Sequence, residues 1–260
     1  MRASSYRPFE AEKRVFVIEA AEQMRDESQN ALLKTLEEPP DFVHILLLTS
    51  EPSALLETIA SRCQPIDFAP LPPEAVEAAL GSEAPANEVA AAARLSAGDV
   101  ARARFLLSDS GRQLRAAALE LESDWQKVLK TAESVGEEAE ATTRDLLDAE
   151  TEAGVKRSAR DIGDEAKRAG RRRRTETLDL ALELGASWFR DLAATSSGAD
   201  ELVFNRDHLA ELQSRAATLD PARPRRAAEL VQDTRRRLDL NVSEELALEA
   251  LAFRLAAVFA

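Results

Sequence analysis

The sequence predicts an α/β unit followed by an all-α region. Three observations carry that expectation. Two short apolar runs, Arg14–Ile18 and Val43–Leu48, bracket a helical stretch that ends at Pro39-Pro40, all within the first seventy residues. Strand alternating with helix is the pattern of a parallel sheet. From Gly111 onward there is no convincing strand. The composition agrees: 45% of residues are apolar but only 5% aromatic, with much Ala, Leu, Glu and Arg, which favours helices packed through aliphatic side chains.

The 260 residues are enough for two or three packed units. A formal charge of −13 argues against a whole-surface grip on DNA or an anionic membrane, while leaving room for a local basic patch. One cysteine excludes an internal disulfide and a cysteine-rich zinc site, and His44 and His208 lie far apart in sequence, so no metal site is expected. There is no signal peptide and no apolar run able to span a bilayer, and the chain reads as cytoplasmic, without a membrane partner.

After a polar start containing Pro8, Arg14–Ile18 reads as a buried parallel strand. It ends in Glu19, a carboxylate at the strand's carboxyl end, where open α/β sheets place their chemistry. Residues 25–38 read as a helix with the stripe Ala31, Leu32, Leu33 and Leu36, stopped by the two prolines. Val43–Leu48 is a second strand ending in Thr49-Ser50. Pro52 and Ser53 open a helix over about 54–61, and Gln64–Phe68 is a candidate third strand. At the end of the second of these helices stands Arg62, whose rigid fork of donors suits phosphate oxygens. A plain helix-end cation is the simpler reading of that residue taken alone. Nothing in the chain has the form GxxxxGK[ST], so half of a nucleotide-binding sheet is present without a phosphate cradle.

The segments RVFVIEAAEQM (14–24), NALLKTLEEPP (30–40), LLLTS (46–50) and SRC (61–63) resemble bacterial DNA polymerase III clamp-loader subunits of the AAA+ superfamily. The resemblance implies a partial AAA+ parallel α/β domain over 1–70, a small helical lid over 71–110 and a C-terminal helical collar bundle over 111–260. It also implies that the front of the α/β domain, with its first strand, phosphate-binding-loop region and any zinc-binding insertion, lies outside this chain. Glu19 and Ala20 occupy the positions of the acidic pair that follows the Walker B strand in the motor subunits. The second acid is absent, and Glu22, two residues displaced, is expected on a solvated turn. Thr49 matches the sensor position and is read as a strand-end hydrogen-bonding residue. Arg62 becomes an arginine finger acting in trans on a neighbour's ATP. Ser61 is expected to cap or pack the helix end that aims it, and Cys63 to be a small buried hydrophobe.

Pro70–Pro73 is a stiff linker, with Pro72 and Pro73 starting a helix that runs to Gly81. Asn87–Leu95 and Asp99–Leu107 give two further helices. In the family's motors an arginine near the start of the second of these senses the γ-phosphate; the matching place holds Ala101, and Arg102 and Arg104 are expected at the surface. Leu114, Ala118, Leu121, Trp125 and Leu129 give one amphipathic helix. Residues 133–170 are highly charged and read as an exposed helix or partly disordered hairpin. Arg171–Arg174 are read as a solvated helix start facing nearby acids, with DNA contact the other option, and Trp188-Phe189 of the helix Thr177–Leu192 as core. Helices follow at about 206–217, 224–238 and 243–259, where NVSEELALEALAFRL (241–255) is the second strong likeness to the family. Ser243 is placed as N-cap, with Leu246, Leu248, Ala250, Leu251 and Leu255 as a broad apolar face.

Together these imply a delta-prime-like subunit, a stator without cofactor or independent catalysis. Its partners would be gamma/tau motor subunits and delta in a heteropentamer, with the sliding clamp and primed DNA reached through the complex. The rivals are a truncated gamma/tau-type ATPase subunit and a helical adaptor with a vestigial AAA+ cap.

Overall fold

The computed structural model describes residues 11–238, 240 and 242–260. The polar start with Pro8, and Asn241 of the C-terminal likeness, lie outside these. The chain divides into two compact units at Ala69/Pro70.

In the first unit, β1 (Arg14–Ile18) and β2 (Val43–Leu47) pair in parallel, Arg14 opposite Val43 through Ile18 opposite Leu47. The helix α1 (Asp26–Glu37) makes the crossover between them and stops before Pro39-Pro40, as the prolines require. The core of this unit is small: Ala21, Leu32 and Ile59 are fully buried and Val43 nearly so. The expectation of strands buried on both faces fails. Val15, Val17, Leu46 and Leu48 are about half exposed, because among the described residues no element covers that face of the two-stranded sheet. Gln64–Phe68 is not a strand; Ile66 and Phe68 lie exposed in irregular chain. The helix expected over 54–61 is broken into a short helical turn at Pro52–Ala54 and α2 (Glu57–Ala60), separated by Leu55 and Leu56 in extended conformation.

The second unit is helical: α3 (Pro73–Leu80), α4 (Ala86–Leu95), α5 (Val100–Leu107), α6 (Asp109–Leu119), α7 (Gln126–Glu152), α8 (Ala159–Ser196), α9 (Leu209–Ala216), α10 (Ala222–Leu238) and α11 (Glu244–Phe259). The helices before and after residue 110 share one apolar core, running from Val76 and Leu106 through Leu121, Trp188 and Phe189 to Leu255. Trp188 and Phe189 are fully buried, as their place on an apolar stripe suggested. The single helix read through Leu114 and Leu129 is two, because the chain turns between Glu120 and Trp125.

The charged stretch 133–170 is an ordered helical hairpin rather than a loose one. Its two helices meet at glycines: a Cβ on Gly136 would stand 3.0 Å from the Gly170 carbonyl oxygen, and one on Gly170 would stand 2.8 Å from that of Gly136. Contact at backbone distance, with Ala132, Val135, Ile162 and Ala166 buried beside it, replaces the large apolar side chains the sequence lacks there.

Polar anchors complete the unit. Arg115, buried, donates to both carboxylate oxygens of Asp207 at 2.9 and 3.0 Å and to Asn205 Oδ1. Asp191, fully buried, accepts from the backbone N–H groups of Phe204 and Asn205, from Asn205 Nδ2 and from Arg190. These bonds fix the 200–208 connection against α6 and α8, at positions where an unpaired charge would be costly.

Candidate functional site

Three of the expected site residues, Glu19, Ala20 and Thr49, lie just after the carboxyl ends of β1 and β2. Glu19 is exposed directly after β1. Ala20 follows with φ 49°, a left-handed conformation uncommon for a residue with a Cβ. It turns the chain into a short helical turn at Ala21–Gln23. That turn brings Glu22 back over the end of β2. The Thr49 hydroxyl, helped by the backbone N–H groups of Glu22 itself and Ser50, holds the Glu22 carboxyl below the usual glutamate range. Glu22 is therefore engaged with the sensor position rather than standing on a solvated turn. Thr49 also accepts from the Glu51 N–H at 3.1 Å, so its hydroxyl is used within its own loop.

The arginine is placed by a chain of contacts starting at α1. Gln29, buried, accepts the Leu56 N–H at 2.9 Å and donates to the Met24 carbonyl at 3.1 Å. This bond ties α1 to the extended pair before α2, and Ile59, fully buried, anchors α2 itself. Ser61 is the C-cap of α2, and its hydroxyl donates to the Thr58 carbonyl at 3.3 Å. Cys63 is half-buried, and burial pushes its thiol up, away from the thiolate a nucleophile needs. Arg62 remains partly accessible. It donates through Nη1 to the Thr58 carbonyl at 2.8 Å and through Nη2 to Glu37 Oε1 at 2.7 Å. Gln29 and Glu37 were both missed as supporting residues. The only signal for them was the presence of polar side chains beside an apolar stripe.

In the second unit, Ala101 lies exposed in the first turn of α5, its N–H capped by Asp99 at 2.8 Å. Arg104 is exposed, as expected, and pairs with Glu83. Arg102 is less exposed than expected: it is half-buried against α8 and bonded to Glu183 at 2.6 Å. Arg102 also lines a cavity of about 610 Å³ formed by α4, α5, α8 and α10. Three of its other arginines, Arg94, Arg190 and Arg236, each face an acid as well, Glu77, Asp191 and Asp233 respectively.

The block Arg171–Arg174 sits in the middle of α8, not at a helix start. Arg172 pairs with Glu176, Arg173 lies over the Phe105 ring at 4.6 Å, and Arg174 bonds Glu244 at 2.6 Å. Acids and an aromatic face thus take up three of the four. Ser243 is the N-cap of α11 but its hydroxyl makes no capping bond. Of the expected apolar face, Leu248, Leu251 and Leu255 are buried, whereas Leu246 and Ala250 face outward with Phe253. Among the described residues no group of His, Cys, Asp and Glu could hold a metal ion, and no helix is long and apolar enough to cross a membrane.

Residues 1–72 match the model of a family described as DNA polymerase III, delta subunit. The Bacillus subtilis DNA polymerase III subunit delta' is 46% identical over 68 residues, 26% of this chain and 21% of that protein. The Escherichia coli subunit delta' is 42% identical over 105 residues, 40% of this chain and 31% of that protein. The Mycobacterium tuberculosis subunit gamma/tau is 39% identical over 75 residues, 29% of this chain and 13% of that protein. The chain thus spans well under half the length of these curated relatives. Over its α/β segment it is a homologue of DNA polymerase III clamp-loader subunits. The family model and the two delta' relatives match that segment, and so does the gamma/tau relative.

Proposed function

We propose that the chain acts as a delta-prime-like stator of a DNA polymerase III clamp loader, a cytoplasmic replication complex. The first unit is then a partial AAA+ domain, and the second contains the lid and the collar helices. The observation that carries this reading is Arg62, positioned by Gln29, Ile59 and the C-cap of α2 at the end of a parallel α/β segment. A positioned guanidinium of this kind stabilises the charge that develops as a neighbour's nucleotide is hydrolysed. Glu19-Ala20 provides one acid where a motor needs two, Glu22 is engaged by Thr49, and the place of the γ-phosphate-sensing arginine is Ala101.

Assembly is supported by α11. Leu246 and Phe253 lie 65% and 78% exposed, with Ala250 between them on the same face, while Leu248, Leu251 and Leu255 bury the opposite face. A helix apolar on both sides suits a bundle whose packing continues into neighbouring gamma/tau and delta subunits. The sliding clamp and primed DNA would be reached through that complex.

An add-back experiment tests the reading. The subunit alone should neither bind nor hydrolyse ATP, and adding it to the gamma/tau and delta subunits should restore DNA- and clamp-stimulated hydrolysis. ATP hydrolysis by the subunit alone would instead favour a gamma/tau-type motor.

A further inference from the structure

Arg62 is held back by its own chain. Both terminal guanidinium nitrogens are occupied, Nη1 by the carbonyl of Thr58, four residues earlier, and Nη2 by the carboxylate of Glu37 at the carboxyl end of α1. These two acceptors fold the side chain along α2. To turn the fork towards a phosphate on another molecule, the guanidinium must swing away from the orientation that these two contacts hold. The two contacts differ in kind. Thr58 offers a neutral carbonyl that also accepts from the Ser61 hydroxyl, whereas Glu37 offers a full charge. Glu37 thus competes with phosphate for the guanidinium's charge and for the direction in which its fork points.

We propose that Glu37 is a positioning residue that latches Arg62 in a docked state and releases it only when a neighbour's nucleotide presents enough negative charge to displace it. This rests on the finger role of Arg62. The latch is suited to reversal because both side chains are partly exposed, Arg62 at 36% and Glu37 at 52%. An ion pair so placed is weak enough to be broken by a triphosphate and its developing charge, yet strong enough to bias the resting state. The consequence is a lower rate of hydrolysis without DNA and clamp, with little effect once the ring is driven into its hydrolysing arrangement.

The test is ATP hydrolysis by the reconstituted complex carrying Glu37→Gln, with and without DNA and clamp. It is repeated in an Arg62→Ala background. The amide keeps the size of the side chain and an acceptor oxygen but removes the charge. Unstimulated hydrolysis should rise, by up to about fivefold for a pair of this exposure. The stimulated maximum should stay unchanged, and the rise should vanish in the Arg62→Ala background. No rise, a fall, or an equal rise in both backgrounds would overturn the latch. The finger reading fails separately, if Arg62→Ala alone leaves stimulated hydrolysis intact.

Discussion

Gln29 Oε1 accepts the backbone N–H of Leu56 at 2.9 Å, across 27 residues of sequence. Through this bond the crossover helix determines where the chain that carries Arg62 begins.

Replacing Gln29 by Leu removes that bond and the one to the Met24 carbonyl, at a site only 2% exposed. Leaving buried backbone groups unpaired costs about 1–3 kcal/mol. Denaturant unfolding should show that loss, and amide exchange over residues 56–63 should quicken more than over β1 and β2.

Much of the architecture was legible because it rests on local chemistry. Pro39-Pro40 ends α1, Pro72-Pro73 opens α3, and the apolar runs at 14–18 and 43–47 pair as written. What stayed hidden depends on partners distant in sequence. Periodicity alone cannot see that Gln29 captures Leu56 and so splits the helix expected over 54–61. It cannot see that Thr49 meets the Glu22 carboxyl across the turn, or that Glu183 draws Arg102 inward. An apolar run predicts a buried strand, yet Val15 and Val17 stand half exposed because burial depends on what covers the sheet. The charged hairpin was misjudged because its packing uses absent side chains, at Gly136 and Gly170.

That hairpin gives a paired prediction within one helix. Gly170→Ala drives a Cβ against the Gly136 carbonyl oxygen at 2.8 Å and the Glu140 Cβ at 2.9 Å. It should destabilise the helical unit by about 1–3 kcal/mol. Gly163→Ala, in the same α8 with nothing within 4 Å, should stabilise it by about 0.5–1 kcal/mol through helix propensity. Thermal unfolding of the two variants should shift in opposite directions.

Thr49→Val should raise the titration midpoint of Glu22 towards the ordinary glutamate value near 4.5, read by carbon-13 NMR of its carboxyl group. The hydroxyl lowers the carboxyl pKa in the folded chain below that of the unfolded one. Its stabilising contribution is therefore complete above the unfolded value and is lost as pH falls through the folded one. The native protein should lose this contribution on acidification below about pH 4.5, and the valine variant should lack that part of the pH dependence.

The central claim is that Arg62 acts on a neighbour's nucleotide. The most direct measurement is DNA- and clamp-stimulated ATP hydrolysis by the assembled complex with Arg62→Ala. Loss of an arginine finger should slow the one site it serves by about a thousandfold or more. It would be seen as a partial fall in total turnover, with subunit composition unchanged. Full turnover in a complex of unchanged composition would contradict the claim, and would leave a helical adaptor joined to its partners through α11.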